Sequence, residues 1–194
     1  RSMATMTLRC WQLAIQLRSK FTHNRKSRSV SSTFWVQAEQ GGMVGFGEGC
    51  PRPYVTGETL DQCQLFFNRH SKQVSAAITD LPSLNAYRKN HEMDIAANPA
   101  AWCAIELALL DLIARVQQVP VERLLGLPDL SGSFRYTGVL GVDEPEAFAR
   151  KLQAHRSLGM HDYKLKWNAD NASSRARLEQ IQSAVPGVMI RIDA

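Results

Sequence analysis

The sequence predicts an α+β module over residues 1–131 followed by the opening of an α/β domain over residues 132–194. Three observations carry that prediction. Alternating apolar segments at the start are joined by a Gly-rich turn, "QGG" at 40–42. A long helical stretch without strand signals follows, entered at "NPAAW". From residue 134 onward, strand and helix patterns alternate with short links, the signature of parallel pairing with crossover helices.

The first strands are expected over Thr7–Leu17, Val30–Glu39 and Met43–Cys50. Glycines 41 and 42 supply the positive φ that a two-residue hairpin needs. Between the first two strands, the polar, basic stretch Lys20–Ser29 reads as a loop. Residues 50–59 also read as loop, because Pro51 and Pro53 remove ladder donors. Asn98 suits an N-cap and Pro99 the first helical position. From Ala100 to Val116 the only charges are Glu106, Asp111 and Arg115, so this helix should be buried on most sides. Asp111 and Arg115 stand at i,i+4 and should pair. A short helix is expected around 121–127. Next come a strand over 134–141, a helix closing near Gly159, the strand "DYKLKW" (162–167), a helix over Ala172–Ala184 and a last strand in "VMIRIDA" (188–194). Three strands and two helices cannot cover both faces of a parallel sheet. The sequence is therefore expected to be the N-terminal piece of a longer protein, with the barrel-like part incomplete and the piece inactive by itself.

Composition excludes several classes. At 44% hydrophobic and 21% charged residues the chain reads as globular, and its net charge of +5 is scattered rather than gathered into a nucleic-acid-binding face. No apolar run approaches the roughly 20 residues that span a bilayer, and the N-terminus has no signal-peptide pattern; a cytoplasmic protein is expected, with neither nucleic acid nor membrane as partner. Cys10, Cys50, Cys63 and Cys103 are widely spaced, without the pairs that bind metal, and read as reduced thiols packed as small apolar groups.

The informative residues lie in the last two strands. Side chains alternate along a strand, so Lys164 and Lys166 share a face about 6.6 Å apart, with Tyr163, Leu165 and Trp167 turned to the helices. In the next strand Ile190 and Ile192 are expected on the helix face, with Arg191 and Asp193 on the lysine face. Sheet interiors exclude such charges unless they pair or do chemistry. Lys166 and Asp193 also close their strands at the C-terminal end, where βα-barrels and open α/β sheets build active sites. Crowded ammonium groups disfavour one another's protonation, which suits a base near neutral pH, and an aspartate offers oxygen to a hard cation. A buried Lys–Asp pair with no further role fits the same pattern.

At these residues the chain resembles the enolase superfamily, in its branch of muconate cycloisomerases, o-succinylbenzoate synthases and dipeptide epimerases. "VGFGEGCPRPYVTGET" (44–59) is similar to a capping-domain stretch of that branch, and "AWCAIELALLDLIARVQQVPVERLLG" (101–126) to the helix and link that lead into the barrel. "YKLKW" matches its K-x-K strand and "IRIDA" the strand bearing its first metal-binding aspartate. The resemblance implies a capping domain followed by a TIM-like (β/α)7β barrel, a homo-oligomer, and a shared reaction: a proton α to a substrate carboxylate is removed and a divalent cation, Mg2+ or Mn2+, stabilises the enediolate. It implies Lys166 as the acid/base, Lys164 beside it favouring the substrate carboxylate, and Asp193 as a metal ligand, with further acids and a second lysine from later strands. Two capping-domain loops, 21–29 and 51–55, would set specificity. Arg28 aligns with a basic residue that some dipeptide epimerases use to bind substrate; Tyr54 and Thr137 are candidate pocket residues. Epimerisation or racemisation of a dipeptide or N-acylamino acid is the first expectation; cycloisomerisation, dehydration to o-succinylbenzoate and a non-catalytic binding module remain open.

Overall fold

The computed structural model describes residues 5–23 and 26–193, with side chains over 5–18 and 29–193. The chain forms two compact units, residues up to 16 with 30–130, and 17–29 with 131–194.

A three-stranded antiparallel sheet has the order β1 (Thr7–His23), β2 (Lys26–Gln40), β3 (Met43–Gly49), and its residues 7–16 and 30–49 belong to the first unit. Gly41 and Gly42 form the β2–β3 turn with φ of +57° and +80°, and Gln40 pairs with Met43, as a two-residue hairpin requires. The stretch read as a loop from Lys20 to Ser29 is instead strand on both sides of residues 24–25. Its polar composition misled: a ribbon of two strands satisfies its backbone within itself and needs no apolar face to keep its ladder. Alternation along β2 buries Phe34, Val36 and Ala38 completely.

Five helices follow in this unit, α1 (Leu60–Ala77), α2 (Leu81–Asn90), α3 (Glu92–Ala97), α4 (Pro99–Gln117) and α5 (Val121–Leu124). Thr59 and Gln62 cap α1 reciprocally, and Asp80 and Ser83 do the same for α2. β3 lies directly on α4. A Cβ at Gly45, Gly47 or Gly49 would collide with the α4 backbone at Leu112, Ala104 and Ala100 respectively, so strand and helix meet backbone to backbone through glycine and alanine. Phe46 N–H donates to Asp111 at 2.9 Å, and Asp111 pairs with Arg115 at 2.9 Å as expected.

The start of α4 differs from the sequence reading. Asn98 occupies the N-cap but makes no side-chain cap, bonding Asp94 instead. The orphan N–H groups of Ala100 and Ala101 donate to Glu58, at 2.7 and 3.1 Å, and Glu58 is buried. The Cys63 thiol donates to the same carboxylate; burial, reinforced by the Glu58 charge and hydrogen bond, pushes this thiol up to about 12. Cys63 packs as expected of a small apolar group, whereas Cys50 and Cys103 are exposed.

A second polar knot joins the helices. Buried His70 on α1 lies 2.8 Å from Tyr87 Oη through Nδ1 and 2.6 Å from Asp94 through Nε2. Burial, with the Asp94 charge behind it, pushes the Tyr87 phenol up to about 12. The hydroxyl therefore keeps its proton, and the Asp94 carboxylate accepts from Nε2–H. The His70 hydrogen bond first, and the Arg69 charge after it, hold the Asp94 carboxyl below the usual range.

The second unit is a parallel sheet in the order β4 (Thr137–Leu140), β5 (Asp162–Lys166), β6 (Met189–Asp193), with α6 (Pro145–Ser157) and α7 (Asn171–Ala184) as the crossovers. Its core gathers Leu140, Phe148, Leu152, Tyr163, Leu165, Ile181 and Val185 between sheet and helices. β4 is shorter than the strand read over 134–141, because β5 starts at Asp162, opposite Thr137, and residues 134–136 have no register partner there. Ile190 packs on the core as expected, but Ile192 is exposed. No helix among the described residues is long and apolar enough to cross a membrane.

Two outcomes test these knots. Replacing Glu58 by Ala strands two helix-end donors in the core and should cost roughly 1–3 kcal/mol in urea denaturation; an unchanged midpoint would show that α4 caps itself. A carboxyl whose folded pKa is depressed stabilises above its unfolded value and loses that contribution as pH falls through the folded one. The stability advantage of wild type over Asp94→Asn should therefore hold at pH 5 and shrink below about pH 4, as read from thermal melts across that window.

Candidate active site

The charged face of the second unit follows from strand alternation and parallel register. β5 turns Tyr163 and Leu165 into the helix-packed core, which leaves Lys164 and Lys166 on the other face. Parallel pairing sets Lys164 opposite Arg191 and Lys166 opposite Asp193, so an acid at the end of β6 comes level with a lysine at the end of β5. Trp167 N–H donates to the Asp193 carbonyl at 2.8 Å, carrying the ladder one residue past β5.

The side chains close on one oxygen. Lys164 Nζ lies 3.0 Å from Asp193 Oδ2, and Lys166 Nζ lies 3.7 Å from the same atom. The nearer lysine is the more exposed, at 42% of its side chain against 13% for Lys166. A carboxylate shared by two ammonium groups neutralises one of them and leaves a net charge of +1 on the cluster (two Lys, one Asp). Such a cluster attracts an anionic ligand and holds a shielded amine close to whatever binds.

The other predicted site residues are distributed differently. Thr137 shares the lysine face but opens β4 rather than closing it; its register partner is Asp162. Four strand positions, about 13 Å, therefore separate its level from that of Lys166. It thus opens its strand, whereas Lys166 closes β5. Tyr54 belongs to the first unit, half-exposed in a turn closed by Val55 and Thr56 N–H groups on the Arg52 carbonyl. Arg52 in turn donates to the Ser32 carbonyl at 2.8 Å, tethering this loop to β2. Arg28 lies in β2, and its side chain falls outside the described residues.

For a divalent cation, the donor type fits and the donor number does not. Asp193 offers a hard oxygen donor at a strand end, as Mg2+ prefers. No group of three or more His, Cys, Asp or Glu among the described residues could hold a metal ion. A divalent cation at Asp193 would therefore need further ligands.

Sequence reading missed the residues behind the face. The segment after β5 is held by Asn168, whose Oδ1 accepts from Ser174 Oγ at 2.8 Å and from Arg177 at 3.2 Å. Arg177 is buried; an arginine in a helix pattern gives no sign of that.

Over residues 6–126 the chain matches the N-terminal domain described as mandelate racemase / muconate lactonizing enzyme. A hydrophobic dipeptide epimerase of Enterococcus faecalis is 32% identical over 188 residues, covering 93% of this chain and 50% of that protein. An N-succinyl-L-Arg/Lys racemase of Bacillus cereus is 25% identical over 195 residues, covering 98% and 52%. The crystal structure of a dipeptide epimerase from Enterococcus faecalis V583, complexed with Mg and the dipeptide L-Leu-L-Tyr, superposes with a TM-score of 0.75 at 26% identity, over all of this chain and 54% of that one. The chain spans about half the length of the relatives it matches.

The cluster can be tested without any ligand. Double-mutant cycles should give a coupling of about 0.5–1 kcal/mol between Lys164 and Asp193, the range for a well-exposed pair. The Lys166–Asp193 coupling should be at least as large despite the longer distance, because the shielded amine feels a lower effective dielectric. A negligible coupling for Lys166 would break the cluster as drawn.

Proposed function

The chain belongs to the mandelate racemase / muconate lactonizing enzyme family of the enolase superfamily, and on that premise we propose that it is part of an epimerase acting at a carbon α to a carboxylate. The observation that carries the reading is the convergence of Lys164 and Lys166 on Asp193 at the C-terminal ends of parallel strands. The relatives named above favour epimerisation or racemisation over cycloisomerisation and dehydration, and a dipeptide or N-acylamino acid as substrate.

In this reading Lys166, the shielded amine, takes the α-proton through Nζ, and the electron pair left behind moves onto the substrate carboxylate as an enediolate. Lys164 sits at the mouth of the cluster, where its charge holds that carboxylate in place. Asp193 would help to hold Mg2+, with Mn2+ as an alternative, and the bound cation would supply positive charge to the enediolate oxygens. Epimerisation also needs a proton returned on the opposite face, by a group outside the described residues. Residues 132–194 are the opening β/α units of the barrel in this proposal, and residues 1–131 the cap. Arg28 and Tyr54 are candidate specificity residues in this proposal.

The test uses the full-length protein with Mg2+ in D2O. NMR follows α-proton exchange across hydrophobic, cationic and acidic dipeptides and N-succinylamino acids. Lys166→Ala should slow exchange about 10²–10⁴-fold, the usual worth of a general base. Asp193→Asn should weaken Mg2+ binding by calorimetry. Wild-type protein that neither binds Mg2+ nor exchanges any α-proton would sink the proposal.

A further inference from the structure

Arg177 is 5% exposed, yet no carboxylate lies within ion-pairing distance of it among the described residues. Its Nη2 donates to two neutral acceptors, Ser174 Oγ at 3.1 Å and Asn168 Oδ1 at 3.2 Å. Its Nε has no acceptor. Burying a guanidinium without a counter-charge is costly, and helix-to-sheet packing alone would be served better by an apolar side chain. What the planar fork offers, and an apolar residue or a point charge does not, is a fixed reach to two acceptors.

Those acceptors define one short segment. Ser174 is fully buried, its Oγ donating to Asn168 Oδ1 at 2.8 Å and accepting from Asn168 N–H at 3.3 Å. Asn168 stands two residues after Lys166 and one after Trp167, whose N–H is tied to the Asp193 carbonyl at 2.8 Å. Trp167 Nε1–H donates to Asn171 Oδ1 at 2.8 Å, and Asp170 caps α7 through Ser173 N–H. Every fastening of the segment leads from α7 to the strand ends that carry Lys166 and Asp193.

We infer that Arg177 is a positioning residue that, through Ser174 and Asn168, fixes the exit of β5 and with it the placement of Lys166 against Asp193. The inference rests on the reading of Lys166 and Asp193 as the chemical pair, but its structural half can be tested apart from activity.

The experiment compares full-length wild type with Arg177→Lys and Asn168→Ala. Amide hydrogen exchange at Trp167 is read against Tyr163 in the same strand and against α4. Both variants should release the Trp167 amide at least about tenfold while Tyr163 and α4 keep wild-type protection. In α-proton exchange, kcat should fall at least about tenfold with KM held within about threefold, as small misplacement of a reacting group does. Asn168→Ala keeps the inference testable if Arg177→Lys does not fold. Unchanged Trp167 exchange in both variants overturns the inference, as does faster exchange of all amides together, which marks a merely structural role. Local release at Trp167 with kcat intact overturns the catalytic half. A wild-type protein without α-proton exchange removes the functional reading while the Trp167 result still decides the clamp.

Discussion

A carboxylate held by fixed donors fastens what it touches, and much of this structure is arranged around three carboxylates, one buried and two partly exposed, that received different donors. Glu58 is answered by the backbone, through the first free N–H groups of α4. Asp94 is answered by the Nε2–H of His70, whose orientation is set in turn by Tyr87, and by Arg69. Asp193 is answered by two lysines on a neighbouring strand. The first two arrangements use donors that packing already holds in place, so they fasten helices. The third uses flexible, partly exposed amines, so it remains open to exchange of partners. That contrast in the stiffness of the donors separates the two fastening sites from the lysine cluster.

The elements themselves were legible where local chemistry dictates them. The "QGG" turn forces its hairpin, and the strand–helix alternation after residue 134 forces parallel pairing. Elements whose limits depend on a partner were not. β4 starts where β5 starts its register, and the hairpin continues beyond residue 20 because a ladder closes on itself whatever its side chains. The cap of α4 illustrates the same limit. Asn98 is the residue that local statistics prefer, but a carboxylate 42 positions away from Ala100 reaches the orphan donors first.

For the site, period-two alternation was enough to bring Lys164, Lys166 and Asp193 onto one face, because parallel register adds no freedom once the strands are adjacent. It was not enough to say which end of β4 Thr137 occupies, since that depends on where pairing starts. Nor could it show Arg177 or Ser174: on α7 their burial is decided by the segment that folds back over them, and one arginine among several in a helix looks like a solvated one. Strand patterns thus reveal residues that share a strand face more readily than those buried behind it.

The charges on the lysine face bound what it can do. Two ammonium groups and one carboxylate sum to +1, and Arg191, opposite Lys164, brings the face to +2, which favours an anionic group and opposes a further cation. Adding a divalent ion to these three side chains would raise the sum to +3 at a site where Lys166 is mostly shielded from water, and Coulomb repulsion at a few ångströms is then several kcal/mol even at an effective dielectric of about 20. A metal can sit beside Asp193 only if further acids bring the local sum back down. In the proposed reading, then, affinity for the metal would depend on further acids together with Asp193, while proton transfer would depend on the lysines. A substitution at Lys164 or Lys166 that removed one positive charge should tighten the cation while it slows the chemistry, an opposition that a simple binding module would not produce.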